Sequence, residues 1–187
     1  ISESKNVRQG KIVSIETPSP ERINASCPVY AACGGCNLQM LSAEKGLLYK
    51  QDALARYFKR VLKIETDVWQ ASVRADIDYS NAQRNIGYRR KVRLAVDARQ
   101  KGSVKIGYRQ SGSNKVIDIN TCPILLPQLA ECIERLLPLL KNLGCIQKVG
   151  HIECSLTADG VVLLINFTKA LSKLDLHALE ALSEATR

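Results

Sequence analysis

The chain has 187 residues, 45% of them hydrophobic, and 27 Lys or Arg against 18 Asp or Glu leave a formal net charge of +9. That supplies enough apolar material for a packed core in one large domain or two small ones. No apolar run approaches the ~20 residues that span a bilayer, and seven cysteines without a signal peptide argue against a secreted disulfide framework, so the expected compartment is the cytoplasm.

In chain order, Val7 to Ile15 has the pattern of a strand, and Thr17-Pro18-Ser19-Pro20 of a stiff linker into a cysteine-rich loop. Ser42 is placed to cap a helix running to about Lys63, whose Leu47, Leu54, Phe58, Val61 and Leu62 lie near one face. Such a stripe is ordinarily core. Val73 to Arg84 has weak periodicity and is expected to be a loop. Val92, Leu94 and Val96 alternate with Lys91, Arg93 and Asp97, while Val104, Ile106 and Tyr108 alternate with Lys105 and Arg109. These are two amphipathic strands joined around Gly102, with a third at Lys115 to Ile119 beyond the Ser111 to Asn114 turn. Pro127 to Leu143 reads as a Leu-rich helix stopped at Gly144, with Pro138 inside it. A hairpin follows over Gly150 to Thr157 and Val161 to Phe167, and Ser172 with Asp175 forms a capping box for a last helix. The expected class is α+β: an antiparallel sheet with packed helices and a cysteine-rich, cluster-binding loop.

Cys27, Cys33 and Cys36 lie within ten residues in C-x5-C-x2-C spacing, so three thiols can reach one centre without help from the fold. Cys122 is the expected fourth ligand, because Cys122-Pro123 repeats the Cys27-Pro28 pairing and proline fixes the chain beside a ligand. Structural zinc sites usually carry a second C-x2-C or H-x3-5-H pair about 12 to 20 residues away, and no such pair is present. A [4Fe-4S] cluster is wider and accepts backbone N–H groups, which Gly34 and Gly35 can bring close, so it is favoured over zinc and over a disulfide. Cys132, Cys145 and Cys154 lie in apolar stretches and read as inert core thiols.

The positive charge is concentrated. Residues 84 to 115 hold ten Lys or Arg and the single acid Asp97, and the rest of the chain is balanced. Because side chains alternate across a strand, Lys91, Arg93, Lys105 and Arg109 are expected on one solvent face with no acid among them, extended by Tyr88, Arg89 and Arg90. A localised basic surface is the footprint of a polyanion site; the plainer alternative is a solvated sheet face. No G-x-G-x-x-G, phosphate loop, triad or zinc-hydrolase motif is present, and His151 and His177 are separate, which points to structural roles for both.

Taken together, Ser19-Pro20-Glu21-Arg22, Cys27-Pro28, Cys33-Gly34-Gly35-Cys36, Gln39, Gly87-Tyr88-Arg89-Arg90-Lys91, Gly107-Tyr108-Arg109, Cys122-Pro123-Ile124-Leu125 and Gly150-His151-Ile152-Glu153 resemble the RNA uracil-5-methyltransferases. Within that family the pattern is most similar to the bacterial branch acting on 23S ribosomal RNA. The resemblance implies a barrel-shaped TRAM domain, a central domain with a [4Fe-4S] cluster on Cys27, Cys33, Cys36 and Cys122, and a Rossmann-like domain that binds S-adenosylmethionine. In such enzymes a cysteine adds to C6 of the uracil, C5 takes the methyl group, and a base removes the C5 proton. The adenosylmethionine loop and the S-C-N-P nucleophile motif are both missing here; Cys154 in Glu153-Cys154-Ser155-Leu156 does not match the latter.

The chain is therefore expected to be an internal fragment without catalysis of its own. Residues 1–17 are the expected TRAM remnant, 18–41 the iron-sulfur loop, 42–86 a helix and linker longer than the family pattern, and 87–187 an α+β RNA-binding domain. Ribosomal RNA is the expected partner, with Tyr88, Arg89, Arg90, Lys91, Arg93, Lys105 and Arg109 as contacts. The Leu47, Leu54, Phe58 and Leu62 face is expected to be uncovered without a catalytic domain and to drive self-association. A zinc-stapled RNA-binding module and, further off, a ferredoxin-like carrier are the rival readings.

Overall fold

Alternation of apolar and charged residues organises the structure. In the strand Lys91–Asp97, Val92 and Leu94 are buried while Lys91 and Arg93 are exposed, the period-two pattern of a sheet with one wet face. The computed structural model describes residues 2–4, 7–10, 12–65, 69–72, 86–100 and 102–185. Among them, β1 (Ser2–Ser4) pairs antiparallel with β2 (Val7–Gln9), and α1 (Ala43–Tyr57) follows the cysteine loop. A five-stranded sheet is then built from β3 (Lys91–Asp97), β4 (Lys105–Arg109), β5 (Val116–Asp118), β6 (Val149–Thr157) and β7 (Gly160–Phe167). Its order is β5-β4-β3-β6-β7, with every neighbouring pair antiparallel. With α2 (Pro127–Lys141) and α3 (Lys173–Ala185), this is the expected α+β class.

The connection from β5 to β6 carries α2 across the inner face of the sheet. Leu129, Ile133, Leu136, Leu137 and Leu140 recur at helical spacing and are all buried against Leu94, Ile106 and Ile152. Complete burial of each such side chain contributes about 1.5 to 3 kcal/mol. Cys154 is buried in the same core; burial pushes its thiol up to about 12, as expected of an inert core cysteine. Gly107 is required where β4 meets β5, since a Cβ there would lie 2.1 Å from the Ile117 carbonyl oxygen.

Several expectations need correction. The strand expected over Val7 to Ile15 ends at Gln9; Ile12 and Val13 are 75% and 96% exposed, because β-propensity alone provides no partner strand. The expected helix from Ser42 forms, with Ser42 Oγ accepting from the Lys45 amide, and then passes into a π-helical turn over Phe58–Leu62 ended by Lys63 in the left-handed region. Its apolar stripe does not join the core. Leu54, Val61 and Leu62 are exposed, and the helix is held instead by Tyr49 and Lys45 to Glu21 and by Leu38 against Gly46. The loop expected over Val73 to Arg84 lies outside the described residues.

The capping box forms as read. Asp175 Oδ2 accepts from the Ser172 amide at 2.7 Å and hydroxyl at 2.8 Å, and Lys148 from the turn before β6 donates to the same carboxylate. Lys148 first, then the Ser172 donors, hold Asp175 down to about 2. A depressed carboxylate stabilises the fold above its unfolded value of about 3.9, and that contribution is lost as pH falls toward 2. Asp175→Asn is therefore expected to melt below the wild type at pH 7, with the gap closing between about pH 4 and pH 2. A gap that stays constant over this range in a thermal melt series would rule out the ion pair as its source.

Candidate metal centre and basic face

Two backbone splices bring the distant cysteines together. The cysteine loop lies along the end of β4 on the side β3 has left: Gly34 N–H donates to the Arg109 carbonyl at 2.9 Å, Ser111 N–H to the Ala32 carbonyl at 3.1 Å, and Cys33 bridges Gln110. A Cβ on Gly34 would approach the Arg109 oxygen to 2.9 Å, so the close contact needs glycine. On the other side, Gly87, Tyr88 and Arg89 run alongside the Cys122 segment. Gly87 N–H donates to Pro123, Tyr88 and Arg89 both donate to Ile124, and Leu126 donates back to Arg89.

Between the splices, Cys27, Cys33, Cys36 and Cys122 line one small cavity, partly open to solvent. Val29, Ile119 and Ile124 form apolar wall, and Tyr108 closes one side. All seven cysteines of the chain are free thiols. Gln39, the buried polar side chain among the described residues, accepts from the Cys27 amide through Oε1 at 3.1 Å and so anchors the start of the loop. The Gly35 amide donates to Cys33 Sγ at 3.3 Å, while that of Gly34 is taken by the sheet and not turned toward a sulfur.

Burial pushes the Cys33 and Cys122 thiols up; at Cys33 the neighbouring Cys36 and Cys27 add to the rise, and Gly35 and Arg89 oppose it. At Cys122 the opposing donors are the Tyr108 hydroxyl and the Ile124 amide. Any metal bound here must displace protons. Among the described residues no three His, Cys, Asp or Glu side chains are gathered tightly enough for a single metal ion. Zinc draws its sulfurs to about 2.3 Å from one point. A cubane instead takes one thiolate on each of four irons, so four cysteines around one cavity are the donor set such a group would need.

The basic strip reads differently in three dimensions. Lys91, Arg93, Lys105 and Arg109 occupy alternate positions on the outer face, as the register of β3 and β4 requires. The expected absence of acid is overturned. Glu153 of β6 lies opposite Arg93, 2.6 Å from Lys91 Nζ and 3.7 Å from Arg93 Nε, with His151 Nε2 at 3.6 Å. Asp97, opposite Lys105, is clamped by Arg99. Arg109 donates to the Asn114 side chain at 2.9 Å, and Tyr88 and Arg90 are exposed beside β3. Arg89 departs from the group: it is half-buried, its backbone is bonded to Ile124 and Leu126, and its charge opposes the rise of the Cys33 thiol.

Sequence reasoning missed Tyr108 and Glu153 as site residues. Tyr108 alternates in phase with Ile106 and so reads as core; its hydroxyl 3.7 Å from Cys122 Sγ depends on a segment 14 residues away. Glu153 could have been found by pairing β6 with β3, since it occupies an outward position in a strand that the hairpin pattern identifies.

No family model matches the chain. It is 36% identical over 185 residues, 99% of its length, to the 23S rRNA (uracil(1939)-C(5))-methyltransferase RlmD of Alteromonas mediterranea, covering 37% of that protein. Proteins of the same name from Psychromonas ingrahamii and Shewanella sediminis are 34% and 33% identical over 98% and 96% of the chain, with 40% and 39% of their own length covered. The chain thus spans about two fifths of the length of these relatives. Over nearly its whole extent, then, the chain is similar to one portion of proteins named 23S rRNA uracil-5-methyltransferases.

Proposed function

We propose that this portion is the iron-sulfur and RNA-recognition part of an S-adenosylmethionine-dependent methyltransferase that makes 5-methyluridine in 23S ribosomal RNA. The observation that carries the reading is the cavity shared by Cys27, Cys33, Cys36 and Cys122, drawn from segments separated by 85 residues, in a chain homologous to enzymes of that name. Transfer of a methyl group to an activated uracil needs no electron, so the cluster's contribution is taken as structural. When bound it supplies four strong metal-thiolate links, and binding free energy becomes folding free energy for the span between Cys36 and Cys122. That span contains the whole basic segment.

Tyr88, Arg90, Lys91, Arg93, Lys105 and Arg109 are then the RNA contacts, with Tyr88 available to stack on a base and the cations to neutralise phosphates. Arg89, half-buried and bonded through its backbone to Ile124 and Leu126, belongs to the same set and is expected to contribute less than the exposed Arg90. Lys91 and Arg93, sharing Glu153, are expected to contribute less than Arg90 and Lys105. Catalysis is assigned to the remainder of the longer protein, and the chain alone is expected to transfer no methyl group. Residues 1–17 are assigned, on the same reading, to the end of a TRAM domain.

Anaerobically purified chain should contain about four irons and four sulfides, with a broad absorption near 400 nm. Cys122→Ser and Gly34→Ala should each lose most of that iron, the first by removing a ligand and the second by pushing the loop off β4. One zinc per chain and no iron would overturn the proposal in favour of a zinc-stapled RNA-binding module. In filter binding to transcribed 23S ribosomal RNA, Arg90→Gln and Lys105→Gln should each lower the salt slope by about 1, and Lys91→Gln by less. Equal slopes for all three variants and the wild type would remove this face from the RNA interface.

A further inference from the structure

On the outer sheet face, Glu153 has a setting that charge pairing alone does not explain. In strand register it lies between Arg93 of β3 and Leu164 of β7, and its side chain is 17% exposed. Lys91, reaching across from its place opposite Ser155, contacts Oε2 at 2.6 Å. Arg93 Nε and His151 Nε2 stand 3.7 and 3.6 Å from Oε1, beyond the reach of a hydrogen bond. Arg93 turns instead to His151, with Nη2 3.3 Å from Nδ1; arginine can only donate, so Nδ1 accepts and the imidazole proton sits on Nε2. Lys91 first, with Arg93 and His151 adding to it, holds the Glu153 carboxyl below its ordinary range, so both oxygens are acceptors. Beside the carboxylate, Val162 and Leu164 of β7 are more than half exposed and form an apolar shelf on an otherwise polar face.

Taken in order, Lys91 Nζ, Glu153 Oε2 and Glu153 Oε1 present a donor, an acceptor and an acceptor. That is the hydrogen-bonding sequence on the Watson–Crick edge of cytosine, and its complement is guanine, whose O6 accepts while N1–H and the N2 amino group donate side by side. Uracil offers acceptor, donor, acceptor; adenine offers a donor beside an acceptor; cytosine repeats the sequence of the pair itself. Of the four bases, guanine alone sets two adjacent donors against a carboxylate. An unstacked base also needs a surface for its apolar face, and Val162 and Leu164 supply one on the next strand, about 4.8 Å away. We propose that Lys91, Glu153 and Leu164 form a reading site for an unpaired guanine of single-stranded RNA. Glu153 accepts from N1–H and the N2 amino group, Lys91 donates to O6, and Leu164 carries the ring. This inference rests on the RNA-recognition reading above and adds to it the base that is read. It also agrees with the small share of Lys91 in phosphate neutralisation, since its ammonium is held at a base edge.

The test is fluorescence anisotropy of the anaerobically purified chain, at low salt, with labelled single-stranded oligouridines carrying one central guanine, inosine, adenine or cytosine. Inosine differs from guanine only in lacking the N2 amino group, so the wild type reports on the site before any residue is changed. The guanine oligonucleotide is expected to bind about tenfold tighter than the all-uridine one, with the inosine oligonucleotide between them. Glu153→Gln, which replaces one acceptor with an amide donor, is expected to abolish the preference for guanine. Leu164→Ser, at an exposed position outside the core, is expected to weaken the guanine oligonucleotide more than the all-uridine one. A wild type that binds all the oligonucleotides alike, with Glu153→Gln tightening every one by the same factor, would overturn the reading site and leave Glu153 as a plain counter-ion to Lys91 and Arg93. A wild type that binds none of them would remove the RNA-recognition reading as well, so the two failures are distinguishable.

Discussion

The cysteine cavity depends on the register of β4. Its end, past the last residue paired with β3, receives the loop of Cys33 through Gly34 and Ala32, its inner face presents Tyr108, and its partner β5 leads directly to Cys122. Side chains in a strand alternate faces, so a slip of one residue in the β3 and β4 pairing would turn Tyr108 outward and Arg109 into the core. Gly107 holds that register, because no side chain fits against the Ile117 carbonyl. Individually, each splicing hydrogen bond contributes only about 0.5 to 1.5 kcal/mol net. What makes them effective is that both splices end on elements already fixed by the core of α2 and the central strands.

Much of this was legible in the sequence, for reasons that can be stated residue by residue. The class, the β3 to β5 meander, the β6 to β7 hairpin, the Ser42 cap and the Ser172 to Asp175 box follow from local alternation and capping chemistry, which need no knowledge of the rest of the chain. Thiols from the C-x5-C-x2-C run and from Cys122 could be listed as partners from type and spacing. The failures are non-local. The α1 stripe reads as ordinary core or as an uncovered face, because periodicity shows that a face is apolar without showing what covers it. The basic face reads as free of acid because Glu153 arrives from β6, 60 residues beyond the Arg93 that it lies opposite, a proximity that only strand pairing reveals. Arg89 sits within a run of three basic residues, yet the parallel bridge to Leu125 leaves it half-buried while its neighbours Tyr88 and Arg90 are exposed.

The outer face is consequently a mixed surface. Around Glu153 the side chains of Lys91, Arg93 and His151 are gathered on one carboxylate, and Val162 and Leu164 lie beyond them on β7, more than half exposed. Lys105 faces Asp97, whose carboxylate is held by Arg99, and Arg90 lies exposed at the other end of β3. A polyanion approaching the sheet meets a graded field instead of a uniform positive plane, which favours one orientation of the backbone over sliding in any direction.

The distance between the two halves of the cysteine set also has a consequence in time. Synthesis delivers Cys27, Cys33 and Cys36 early, while the β4 edge that seats them and the segment bearing Cys122 come later. At about 5 to 20 residues per second, the interval is on the order of ten seconds. During it the nascent loop carries three uncovered thiols with no sheet to lie on and no fourth partner. Assembly of the cavity is thus a late event of biogenesis, and oxidants present while the ribosome is still elongating the chain would reach those sulfurs before the fold could shield them.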